Sequence, residues 1–367
     1  MSAVSPQPAA QNADRDHALD AARGILMMMG ILLHAGNIYS PGSKWLVADS
    51  AVHGFFPVMV EWIHFFRMPA FFWISGYFCA LTFRRRGARG LMQQRLPRLL
   101  IPLLCSWVLL GAVQEWVFAV HDGRALWPAL ADGIPLYHLW FLVDLIVFVG
   151  LAAMLLPALH GRRLGGVVDR VNGSGLIGIL LCLAALSVFC NLAVRATGLA
   201  YVSLGVTSLG SLATYGPYFA GGVLMYNFGA VRAKFVRAPV WLLVVAPALG
   251  TWLLHQTAVL PRWQSEAAQA VRMFLVWAAV AATLRFFYTV FRRESAATRF
   301  LSESAYTIYL FHHVFVTALG LALLPHDWPA AVKFILVTLA SLLLSTLIHI
   351  AVIRRSATAR LMFNGKT

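Results

Sequence analysis

Charge is what this sequence has least of. Asp, Glu, Lys and Arg make up 12% of 367 residues against 60% hydrophobic ones, and mean hydropathy is +0.74. That balance excludes a soluble globular chain, in which about a quarter of residues are charged. Cysteines are few: Cys79, Cys105, Cys182 and Cys190 all fall in apolar runs and lack metal-ligand spacing. The sequence therefore predicts neither a disulfide nor a metal centre. Residues 1–17 lack the basic start and small-residue cleavage site of a secretory signal and read as a disordered cytoplasmic tail. No internal repeat, low-complexity block or soluble domain is visible.

What the chain does have is apolar runs of membrane-spanning length. Ten are expected, near 18–38, 54–82, 97–120, 136–157, 175–194, 206–228, 239–257, 269–291, 302–324 and 332–353. The reading is an all-α polytopic membrane protein, with the spans bundled around a through-membrane pore. One transmembrane domain covers 18–354, and a cytoplasmic tail covers 355–367. The net charge of +15 would suggest nucleic acid in a soluble protein. Here most basic residues fall in alternate loops: Arg84 to Arg98, Arg162 to Arg170, Arg232 to Arg237, Arg292 to Arg299 and Arg354 to Lys366. The positive-inside rule then puts both termini in the cytoplasm. The expected surroundings are membrane lipids rather than nucleic acid. Oligomeric state leaves no trace in the sequence.

Ionisable residues inside spans need a reason, since insertion scales charge about 2.5–3.5 kcal/mol for one at mid-helix. The first span holds Arg23 and His34, with Asp20 one turn before the arginine. Eleven helical steps return to within about 20° of the starting face and rise roughly 16 Å. The two side chains therefore share a face, Arg23 near the cytoplasmic end and His34 in the outer third. Asp20 can pair with Arg23 at i,i+3. The second span carries His64 and Arg67 one turn apart, then Pro69 and the small pair Ser75-Gly76, which would let backbones approach closely. Arg95 and Arg98 straddle a helix-starting proline, a spacing that suits a phosphate clamp. The fourth span opens with Tyr137-His138-Leu139-Trp140; an interfacial aromatic belt explains the tyrosine and tryptophan but not His138. The ninth holds the doublet His312-His313, whose side chains diverge by about 100°, so that one of the two is expected to face any given cavity. With no acidic or cysteine partner nearby in sequence, the doublet is a poor metal site.

These residues resemble the membrane acyltransferase 3 family. The resemblance lies in Arg-x10-His at Arg23 to His34 with Asp20 before it, and in the Phe71 to Tyr77 run around Ser75-Gly76. It extends to Arg95-x-x-Arg98 and spans essentially the whole chain. The details at Leu19–Arg23, His64–Met68, His138–Leu142 and His312-His313 look most like the branch that succinylates osmoregulated periplasmic glucans. The resemblance implies transfer of an acyl group, succinyl in that branch, from cytoplasmic acyl-CoA to hydroxyls of a periplasmic carbohydrate. Acyl-CoA is a co-substrate and no permanently bound cofactor is implied. Arg23, Arg95 and Arg98 would meet the donor's phosphates. His34 would act as general base or be acylated itself. His64, Arg67, His138, Trp140, His312 and His313 would bind acyl group or acceptor, with Asp20, Ser75 and Gly76 in support. Asp144, displaced from the acidic position of acetylating relatives, is given no catalytic role. Arg67 could grip a succinyl carboxylate bidentately. The alternatives are O-acetylation of another envelope polysaccharide and a proton-coupled transporter; the second predicts paired broken helices in two related halves, which the sequence does not show.

Overall fold

The computed structural model describes residues 16–131, 133–160, 173–200, 207–257, 261–293 and 295–366. The expected disorder of residues 1–15 and the basic residues Arg162, Arg163 and Arg170 lie outside them. Within the described residues the chain is a helical bundle without β-sheet. Seven helices are long and apolar enough to cross a membrane. Large apolar side chains such as Trp116, Met154, Ile177, Phe189, Trp252 and Leu339 are exposed around the bundle. That outer surface suits lipid and not water.

Helix α1 (His17–Ile38) starts where the Asp16 carboxylate accepts the Leu19 N–H at 3.2 Å, an N-cap that satisfies one of the free donors of the first turn. It continues without a break through Arg23 and His34. Helix α2 (Phe55–Cys105) runs through what the sequence reads as two spans and a basic loop. The reversal comes at Gly87 alone, whose φ of 67° is open to glycine and strained for other residues. Arg95 folds back at this corner and donates to the Phe78 carbonyl at 2.9 Å and the Thr82 hydroxyl at 3.2 Å. A short π segment, Ser106–Leu110, leads into α3 (Gly111–Asp122).

After α4 (Leu126–Ala131) and a 3₁₀ turn at Tyr137–Leu139, α5 (Trp140–His160) and α6 (Leu176–Ala196) follow. Helix α7 (Leu209–Asn227) packs against α2 at the closest crossing in the bundle. A Cβ on Gly76 would strike the Phe219 carbonyl, and one on Gly222 would strike that of Trp73. Small residues here let two backbones touch, as membrane helices require in the absence of a water-driven hydrophobic force. Helices α8 (Gly229–Phe235), α9 (Leu242–Thr257) and α10 (Arg262–Val290) complete that side. Helix α11 (Ala296–Leu323) begins with a Ser295/Thr298 capping box and packs along α1. Helix α12 (Ala330–Ile348) packs beside it. The segment expected as a C-terminal tail forms helix α13 (Ala357–Asn364), which packs on α2 and is tied to α11 by a Phe363–Phe311 ring contact and a Thr307–Asn364 hydrogen bond.

Candidate active site

The two polar positions of α1 lie at opposite ends of the bundle, in two different settings. At the amino-terminal end, Arg23 pairs with Asp20 at 3.3 Å, donates to Ser302 Oγ at 3.2 Å and lies over the Phe78 ring. The Phe78 carbonyl holds Arg95, so one residue of α2 joins both arginines. Arg23 and Arg98 are both close enough to Arg95 to act on it electrostatically. Arg98 is exposed, while Arg95 is turned inward. Beside them opens a cavity of about 720 Å³ lined by Arg84, Arg85, Arg232, Arg292, Tyr77 and Tyr288 among others. Arg232 and Tyr288 there both engage Asp16, the cap of α1. This end of the molecule is a basic, aromatic-lined cleft of a size that holds organic anions.

At the other end His34 is the hub of a cluster of imidazoles. Its ring centroid lies 5.4 Å from that of His312, 5.0 Å from His313 and 6.4 Å from His138. His138 stacks on His313 at 4.7 Å and lies 5.2 Å from His312. Both members of the doublet therefore face the same site, against the expectation that one would. Their own rings lie 6.4 Å apart, centroid to centroid, and stand edge-on to each other. His34 and His138 enter from different helices and fill the angle between them.

Hydrogen bonds fix how these rings can act. His312 Nδ1 lies 2.6 Å from the Tyr309 carbonyl and 3.1 Å from that of Ile308; a carbonyl only accepts, so Nδ1 carries the proton. In the neutral ring that leaves Nε2 as the basic nitrogen. The His313 Nδ1 contact with Gln114 Oε1, at 3.2 Å, works the same way, because Thr317 also donates to that oxygen at 2.9 Å. His34 Nδ1, both nitrogens of His138 and His312 Nε2 are buried and unpartnered among the described residues. Buried polar atoms carry a cost unless water or a ligand completes the bonding.

Arg67 reaches into this cluster from α2. Its Nη1 and His312 Nε2 both crowd Gly30 of α1: a Cβ built there would lie 2.6 Å from the first and 3.3 Å from the second. The guanidinium donates weakly to Met68 Sδ at 3.4 Å and has no carboxylate partner among the described residues, while its Nε is buried without an acceptor. His64, one turn away, is exposed and stands apart from the imidazole cluster. Trp140 is one step removed, its ring 5.5 Å from Tyr215. Ser75 is half-buried, next to the Gly76 crossing.

Several neighbours of the cluster have no signal in the sequence. Gln114 and Glu115 come from α3; Glu115 accepts the Tyr137 hydroxyl, and the Tyr137 ring lies 5.3 Å from His313. Tyr137 has a φ of 47°, a left-handed conformation that strains a tyrosine and marks a constrained site. Tyr309 donates to the His138 carbonyl at 2.6 Å. Trp45 stacks on His34 at 5.4 Å. The adjacent polar pair Gln114-Glu115, set in an apolar run, was the one hint available. Asp144 is buried between the Thr207 and Ser211 hydroxyls, away from the imidazoles. No group of His, Cys, Asp and Glu among the described residues is arranged to hold a metal.

Comparison with known proteins gives this geometry a family. The acyltransferase 3 model, described as an acyltransferase domain, matches residues 16–350. Glucans biosynthesis protein C from Escherichia coli O9:H4 (strain HS) is 27% identical over 344 residues, covering 88% of this chain and 86% of the relative. The protein of the same name from strain K12 / DH10B matches equally. No solved structure matches. Family, apolar helices and likeness to these relatives make the chain a multi-pass membrane enzyme that transfers acyl groups, a member of the acyltransferase 3 family.

Proposed function

We propose that the protein carries succinyl groups from cytoplasmic succinyl-CoA to hydroxyls of a periplasmic glucan, with His34 as the general base. The observation that carries this reading is the convergence of His34, His138, His312, His313 and Arg67 at one end of α1, roughly 16 Å along the helix from Arg23 at the basic end. The glucan is taken from the Escherichia coli relatives, which are glucans biosynthesis proteins. The basic end faces the cytoplasm, in keeping with the loop arginines. We keep ten crossings, with the long Phe55–Asp122 run counted as two on either side of Gly87 and α7 and α9 taken as shorter or less apolar crossings beside the seven long apolar helices. The bundle surrounds a path along which the donor's arm reaches the imidazoles.

The donor's phosphates lie among Arg23, Arg98 and the arginines of the adjoining cavity, which form a fixed positive field. Arg95 holds the corner on which they stand. At the far end a neutral imidazole takes the proton from a sugar hydroxyl as its oxygen attacks the thioester carbonyl. The carbon–sulfur bond then breaks and the thiolate receives the proton. Arg67 meets the free carboxylate of the succinyl group, a partner that an acetyl group would not offer. A sidedness assay on the protein reconstituted in liposomes tests this scheme. Succinyl-CoA on the face bearing the termini and glucan on the opposite face must give succinylated glucan, and the reversed arrangement must not. Product formed only when both substrates share one face would refute transfer across the membrane.

A further inference from the structure

Residues 39–54, between α1 and α2, are held more firmly than a simple connection requires. Asp49 N–H bonds the Ile38 carbonyl at 3.0 Å, and His53 N–H bonds that of Tyr39 at 3.1 Å. Lys333 of α12 donates to Asp49 Oδ2 at 2.8 Å, the two side chains 1% and 0% exposed. The other Asp49 oxygen accepts Ala51 N–H at 2.8 Å. Two charges withdrawn from water this completely are tolerated only in one geometry, and loss of either partner strands the other. The ion pair is therefore a latch that gives the segment a single conformation.

What the latch positions is Trp45. Its indole stacks on His34 with 23° between the planes and meets His313 edge-on, centroids 5.7 Å apart. The other three ring neighbours of His34 reach it from inside the bundle. Trp45 alone comes from the chain beyond the end of α1, so it covers His34 on the side where the helix ends. The indole is half-buried, leaving part of a rigid aromatic surface open.

We infer that Trp45 decides between a sugar hydroxyl and water as the acyl acceptor: latched over His34, it keeps water from the thioester and admits carbohydrate by stacking on a sugar ring. The inference rests on the acyl-transfer reading above. With water as acceptor, its oxygen bonds to the thioester carbonyl carbon, the carbon–sulfur bond breaks, and the proton passes through the imidazole to the thiolate. The products are a free acid and a thiol. Donor and base are unchanged; only the attacking oxygen differs.

The experiment measures thiol release and succinylated product separately, using purified protein, succinyl-CoA and a glucose oligomer. Trp45→Ala is expected to lower transfer at least tenfold while raising donor hydrolysis at least threefold. Trp45→Phe restores most of the wild-type partition. Lys333→Met, which frees the segment without touching the indole, shifts the partition in the same direction and stands in if Trp45→Ala does not fold. Proportional loss of both reactions, or an unchanged ratio, overturns the role of Trp45 and leaves acyl transfer intact. Absence of any transfer by the wild-type protein overturns the acyl-transfer reading itself, and the inference with it.

Discussion

Adding one methyl group at Gly30 tests how closely Arg67 must be placed. In Gly30→Ala the new Cβ would lie 2.6 Å from Arg67 Nη1, where ordinary contact begins at 3.4 Å, so the guanidinium must retreat by about 0.8 Å. The same methyl sits 3.3 Å from His312 Nε2, so the imidazole gives by a few tenths of an ångström, less than the guanidinium. Misplacing a positioning group by about 1 Å can cost on the order of 100-fold in rate. With a flexible side chain absorbing part of the shift, the expected loss in kcat/KM with succinyl-CoA is roughly 10- to 100-fold, about 1.4–2.7 kcal/mol. With acetyl-CoA, which has no carboxylate for Arg67, the change should stay within about threefold. Helix propensity favours alanine over glycine by about 1 kcal/mol, so melting temperature should not fall enough to explain a loss. Parallel kinetics with the two donors is the assay. Equal losses with both, or none with either, would refute the assignment of Arg67 to the donor's carboxylate.

Three further substitutions probe other parts of the account. Arg67→Ala removes the guanidinium altogether; truncating one side of a buried charge pair costs about 2–5 kcal/mol, so kcat/KM should drop at least about thirtyfold with succinyl-CoA and much less with acetyl-CoA. Gln114→Leu deprives His313 Nδ1 and Thr317 of their shared acceptor; kcat should fall about 10- to 100-fold while KM for the donor, held by its phosphates at the basic end and by its carboxylate at Arg67, stays constant. A KM change of similar size would place Gln114 in donor binding instead. Gly222→Ala drives a methyl into the Trp73 backbone; overpacking of this kind costs about 1–3 kcal/mol, readable as a lower melting temperature in detergent. An unchanged melting temperature would mean that the α2–α7 crossing can open freely.

Periodicity made α1 legible. The Arg23–His34 spacing, the Asp20 pairing and the span limits all follow from one helix with one polar stripe. The corner at Gly87 was hidden for the opposite reason: arginines on either side read as a loop, yet they continue the helix and one of them binds its backbone. Pairwise angular reasoning failed for His312 and His313 because it asks which way one helix points, while the site is enclosed by several helices at once. Gln114 meets His313 across a long sequence separation and Glu115 reaches the cluster only through Tyr137, while Trp45, eleven residues from His34, lies past the end of the helix, where no periodic pattern carries over. His64 is one turn from Arg67 in sequence but stands outside the cluster, since three helical steps leave about 60° between the two side chains, enough to put one on the surface and the other inward. The charged end was legible as a basic cluster. That Arg84, Arg85, Arg232 and Arg292 share a cavity depends on tertiary packing.

The central claim is that an imidazole cluster centred on His34 performs the transfer. Mass spectrometry of periplasmic glucans from cells expressing the wild-type protein or His34→Ala, in a strain deleted for the gene, tests it most directly. Succinyl substituents are expected on the glucans with the wild-type protein and none with His34→Ala, both proteins being present in the membrane at equal levels. Undiminished succinylation by His34→Ala would contradict it.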